Sequence, residues 1–131
     1  MQGLYLDSSA FVKAIVAEPG SRALRDFLGG SGAARVSSAL LRAEALRAVR
    51  HLGPEAIERV RAALRRVDLI AIDDRILDAA GVLEPQIVRT LDAIHLATAL
   101  AMGDDLAAVV TYDARMTEGA RLLGLPTATP S

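Results

Sequence analysis

Four acidic residues, Asp7, Glu44, Asp92 and Asp113, stand where their chemistry could be pooled. Asp7 directly follows the apolar run Leu4 to Leu6, and Asp113 lies just past a second run, Ala107 to Thr111. Glu44 falls in the second turn after a third short run, Ala34 to Ser37, and Asp92 opens the apolar stretch DAIHLATALAM. Carboxylates held within a few ångströms repel, and each buried one costs several kcal/mol unless a cation compensates it. The 131 residues include no cysteine, so a metal partner must sit on oxygen or imidazole, which favours Mg²⁺ or Mn²⁺. Such ions keep waters and take phosphate oxygens, so the chemistry this set suits is phosphodiester hydrolysis.

Elements that alternate between strand and helix must position these acids. Leu4 to Leu6 reads as a strand and SSAFVKAIVAE as a helix, broken by Pro19 and Gly20. Ser21 is placed to cap a second helix through Leu28, with Gly29 to Gly32 as a flexible turn before the Ala34 to Ser37 strand. Helices over Leu40 to Leu52 and Glu55 to Val67 meet at the Gly53-Pro54 corner. A strand from Asp68 to Ile72, a helix capped by Asp73 through Val82 and the buried DAIHLATALAM helix follow. Ala107 to Thr111 is a strand, Ala114 to Leu123 a helix ended by Gly124, and Leu125 to Thr129 an edge strand between prolines.

Crossovers of this kind imply a mostly parallel sheet covered on both faces, a three-layer α/β/α arrangement. Residues 1–131 are expected to form one domain around one core. In such a sheet the ligand crevice lies beyond the carboxyl ends of the strands, where Asp7 and Asp113 fall. The helix bearing Glu44 starts at that edge, and the helix opened by Asp92 must begin there to run down into the last long strand. All four acids therefore share one rim. Leu41, Ala45, Ala48 and Leu52 define an apolar stripe, and Glu44 borders it rather than facing away.

Composition narrows the partners. Aromatics are only 3%, so stacking platforms for single strands are scarce. The net charge of −1 removes any blanket attraction to nucleic acid, and RNA contact would need a local basic patch. Of the 15 basic residues only Lys13 is a lysine, and Arg42, Arg47, Arg50, Arg59, Arg61, Arg65 and Arg66 gather on two neighbouring helices. That face could follow RNA phosphates, dock a protein, or be solvated beside Glu55 and Glu58. No apolar leader or membrane-length run is visible, and a cytoplasmic protein without membrane contact is expected.

The segments LYLDSSAFVKAIVAEPGS, SSALLRAEALRAV, LDAIHLATAL and VVTYDARMTEGARLLGL resemble, in order and spacing, the four motifs of PIN-domain nucleases. They are most similar to those of the VapC toxins of bacterial toxin-antitoxin pairs. The resemblance puts the acidic quartet on Asp7, Glu44, Asp92 and Asp113, the supporting hydroxyl on Thr111, and further hydroxyls on Ser8 and Ser9. It implies a strand order of 3-2-1-4-5, metal-dependent endoribonuclease activity leaving a 5′-phosphate, and a homodimer. It also implies a VapB-type antitoxin that covers the acidic groove with an arginine. Met116 departs from the bulkier side chain or Leu of many relatives.

Each acid also has a structural reading. Asp92 can favour a helix N-terminus, Glu44 can pair with Arg47, and Asp7 or Asp113 can cap the helix that follows. Asp73-Asp74 and Asp104-Asp105 read as a cap and a turn, and His51 suits a helix C-terminus. His95, one turn beyond Asp92, either touches the site or satisfies a core partner. Two rival functions remain open: a catalytically silent binding module for RNA or a partner, and a phosphatase acting on a small ester.

Overall fold

The computed structural model describes residues 2–131. The chain forms β1 (Gly3–Leu6), α1 (Ser8–Ile15), α2 (Ser21–Ser31), β2 (Ala34–Ser38), α3 (Leu40–Val49), α4 (Pro54–Leu64) and β3 (Asp68–Ile70). It continues through α5 (Asp74–Gly81), α6 (Thr90–Ala101), β4 (Leu106–Val110), α7 (Ala114–Leu122) and β5 (Thr127–Ala128). The strands make one sheet in the order β3-β2-β1-β4-β5, and every pairing is parallel. Both the α/β class and the order expected from the resemblance hold.

All of β1 is buried, because strands lie on both sides of it and helices on both faces. Its side chains alternate. Leu4 and Leu6 point into a core with Phe11, Leu24, Leu28, Leu41, Val49 and Val60, under α1 to α4. Tyr5 points the other way, into a core with Val36, Leu96, Val109 and Met116 under α6 and α7. Met116, the residue that departs from the family pattern, is 1% exposed and fully part of this second core. Strand order reverses between β1 and β4, and the Asp7 N–H donating to the Val110 carbonyl at 3.3 Å seals the two strands where they leave the sheet.

Four local expectations are corrected. Ser21 does not cap α2: Gly20 holds that position with φ of 87°, while the Ser21 hydroxyl accepts from the Glu18 N–H and donates to the Val16 carbonyl. The expected turn at Gly29 to Gly32 is helical as far as Ser31, and only Gly32, with φ of 67°, turns the chain out. Each helical glycine costs about 1 kcal/mol relative to alanine. Burial of Leu24 and Leu28 on the preceding turns outweighs that cost. The helix that carries Asp92 starts two residues earlier, at Thr90, and β3 stops at Ile70 rather than Ile72.

Candidate functional site

Asp7 leaves β1 at the reversal point and is only 3% exposed. Its Oδ1 accepts from the Ser9 hydroxyl at 2.6 Å and from the Ala10 N–H at 3.0 Å, so it caps α1. Its Oδ2 accepts from the Thr111 hydroxyl at 2.5 Å, across from β4. The same Thr111 oxygen accepts the Asp113 N–H at 3.0 Å, tying the first and last acids to one buried hydroxyl. Burial pushes the Asp7 carboxyl above the ordinary aspartate range, although the Ser9 and Thr111 hydroxyls and the Ala10 N–H oppose it. Ser9 also accepts the Tyr112 N–H at 2.9 Å. Ser8 makes no side-chain hydrogen bond among the described residues.

Glu44 does not pair with Arg47. Its Oε1 lies 2.6 Å from His95 Nε2, and His95 Nδ1 lies 2.7 Å from the Tyr5 hydroxyl on the other side. The sequence reading left His95 between site and core, and the structure gives it both contacts. In the sequence Tyr5 reads only as part of the apolar run Leu4 to Leu6. The only clue available was the helical spacing that puts His95 one turn beyond Asp92.

Asp92 lies in the first turn of α6. Its carboxyl is raised first by burial, then by the negative charges of Asp113, Asp7 and Glu44, with His95 acting against them. The four acids therefore share one electrostatic neighbourhood, assembled from the ends of β1 and β4, the second turn of α3 and the first turn of α6. Asp113 also caps α7, its Oδ1 accepting from the Arg115 and Met116 N–H groups. Among the described residues no three His, Asp or Glu side chains are drawn together as a ready metal cage. The donor set nonetheless fits a hard divalent cation: oxygen ligands only, mutually repulsive, and, among the described residues, without an arginine or lysine bonded to any of the four.

The secondary acids and His51 take the places expected of a cap and of turns. Asp73 caps α5 through the Ile76 N–H, Asp104 and Asp105 lie in a single 3₁₀ turn, and His51 lies in another after α3. Lys13 reaches Glu18 at 3.6 Å and covers the Tyr112 ring at 4.6 Å. Arg61 pairs with Glu58, whereas Arg59 and Arg66 join Arg35 and apolar side chains around a half-open cleft of about 300 Å³ between α1, α2 and α4.

The raised carboxyls have a measurable consequence in metal-free protein. A folded-state value above the unfolded one stabilises at low pH, and that contribution is lost as pH rises through the raised value. Asp92→Asn removes one such charge, so in chelator at pH 7.5 its melting temperature should exceed wild type by about 2 °C, a figure kept small because Asp92 is partly exposed. The gap should close as pH falls toward the ordinary aspartate range near ~4. Thermal melts across pH would check this, and a gap that widened on acidification would contradict it.

A parallel 3-2-1-4-5 sheet with acids at its reversal point defines a PIN-type α/β domain, and the family model of the PIN domain matches residues 4–122. The chain belongs to the PIN-domain family, in its VapC ribonuclease branch. It is 51% identical to Ribonuclease VapC46 of Mycobacterium tuberculosis (strain ATCC 25618 / H37Rv) over 131 residues, all of both chains. Among solved structures, Mycobacterium tuberculosis VapC20, a Sarcin-Ricin loop cleaving toxin, superposes with a TM-score of 0.78 at 14% identity, covering 97% of this chain and 99% of that one. A toxin-antitoxin complex from Klebsiella pneumoniae gives 0.73 at 22% identity, covering 98% of each.

Proposed function

We propose that residues 1–131 form one PIN domain acting as the endoribonuclease toxin of a toxin-antitoxin pair, with Asp7, Glu44, Asp92 and Asp113 as its hydrolytic centre. The observation that carries this reading is that Asp7, Glu44 and Asp113, from separate elements, all act on the charge of Asp92, and that among the described residues no arginine or lysine is bonded to any of the four. Asp7, Glu44, Asp92 and Asp113 would hold Mg²⁺ or Mn²⁺. A bound divalent ion lowers the pKa of its water and neutralises charge on the phosphate under attack. Thr111 and Ser9 keep the Asp7 carboxylate in one orientation, and the Thr111 bond to the Asp113 N–H keeps the start of α7 beside it. No group of the chain is needed as a covalent nucleophile.

The test is cleavage of a structured RNA by the purified chain, stripped with chelator and then resupplied with Mg²⁺ or Mn²⁺, beside a small phosphate diester under the same conditions. RNA cleavage that vanishes on stripping and returns with either ion is the expected result. Turnover of the ester alone would favour the phosphatase, and no turnover of either would favour the silent binding module.

The partners follow the same reading. The cavity lined by Phe11, Ile15 and Leu28 with Arg35, Arg59 and Arg66 suits an acidic amphipathic segment of a VapB-type antitoxin. An arginine from that antitoxin would pair with the rim carboxylates. A second copy of the chain would cover Leu77, Val82, Ile87 and Leu91, exposed apolar residues along α5, the following loop and the start of α6. Among the described residues no helix is long and apolar enough to cross a membrane, and a cytoplasmic site of action is consistent with cellular RNA as substrate.

A further inference from the structure

We propose that Tyr5 and His95 are positioning residues that hold the Glu44 carboxylate in the orientation from which it takes a divalent metal; this rests on the reading of Glu44 as a ligand. Tyr5 is on the central strand and 0% exposed, and His95 on α6 is 1% exposed. Their rings meet edge to face, 5.8 Å apart at 77°. A buried phenol and imidazole are costly in a core unless bonded, and here each is bonded to the other, with the remaining imidazole nitrogen on Glu44 at 2.6 Å.

The direction of these bonds follows from the groups themselves. An ionised carboxylate only accepts, so His95 Nε2 carries the hydrogen and donates to Glu44 Oε1. With a neutral ring, Nδ1 then accepts the Tyr5 hydroxyl, which burial keeps protonated. The relay is anchored at its far end in the middle of the sheet, so it moves only if the sheet moves. Glu44 is otherwise a long side chain, 20% exposed, on a helix whose anchoring residues are Leu41, Ala45 and Val49. Among the described residues only His95 donates to it, and Oε2 is left uncommitted. An imidazole that orients a ligand carboxylate in this way acts as an outer-shell partner, for which loss costs about 10- to 100-fold in metal affinity.

The experiment is Mn²⁺ binding to the metal-stripped full chain, followed by paramagnetic resonance of the free ion, with melting temperatures recorded alongside. His95→Ala should bind Mn²⁺ about 10- to 100-fold more weakly than wild type. His95→Gln, whose carboxamide N–H can still donate to Glu44, should recover most of that loss, and Tyr5→Phe should show a smaller loss than His95→Ala. Wild-type affinity in both His95→Ala and Tyr5→Phe overturns the proposal, as does an equal loss in His95→Gln and His95→Ala. If His95→Ala does not fold, the comparison of Tyr5→Phe and His95→Gln with wild type decides: unchanged binding in Tyr5→Phe, or a Gln variant weaker than the Phe variant, overturns it. Glu44→Gln separates the two readings. Undiminished binding there, with the relay residues intact, overturns the ligand assignment and the relay with it.

Discussion

Asp7→Asn is expected to lose on the order of 10³-fold in metal-dependent RNA cleavage while keeping its fold. A metal in this kind of site contributes several kcal/mol of charge stabilisation, and each 1.4 kcal/mol is about tenfold in rate. Asparagine retains the shape of the side chain, and its carbonyl still accepts the Ala10 N–H that caps α1. The Thr111 hydroxyl need only rotate to meet an amide instead of a carboxylate oxygen. Because the carboxyl is 3% exposed and raised by burial, losing its charge should leave the metal-free melting temperature at or above that of wild type. Single-turnover cleavage and a thermal melt on one preparation test both halves. Full activity would remove Asp7 from the site, and a collapsed melt would make its role structural.

Thr111→Val should reduce cleavage by about 100-fold and also destabilise the chain. The hydroxyl is wholly buried and makes two bonds that matter, donating to Asp7 Oδ2 and accepting from the Asp113 N–H. Partners that orient metal-binding carboxylates are worth about 10- to 100-fold, and this one orients the first acid and anchors the segment of the last. Valine keeps the β-branched shape at the end of β4 but leaves a buried carboxylate and an N–H short of a partner, at about 1–3 kcal/mol. Thr111→Ser restores the hydroxyl and should recover most of both losses. Cleavage rate and urea denaturation measure the pair, and a serine variant as impaired as valine would show that the methyl, not the hydroxyl, matters.

The sequence reading and the structure part at instructive places. The acids past β1 and β4, the helix carrying Glu44 and the Gly53-Pro54 corner were all legible, because strand ends, caps and helix stops are local events. The capping role offered as an alternative for Asp7 and Asp113 is realised in both, alongside their place on the rim. The glycine pair in α2 misled because a local preference for turns is worth less than two buried leucines. Ser21 misled in the same way: its hydroxyl is taken by Val16 and Glu18, so Gly20 must end the turn by itself.

What the amino-acid order determined alone was the alternation of strands and helices, the side of the sheet on which acids accumulate, and the absence of any thiol to compete for a metal. These depend on spacing and residue type over a few turns of chain. What only the tertiary structure decided was which distant side chains meet to hold the acids: Thr111 with Asp7, 104 residues apart, and Tyr5 with His95, 90 residues apart. Those contacts arise from strand register and from the face of β1 on which Tyr5 falls, and both are set by packing the whole sheet between its helices.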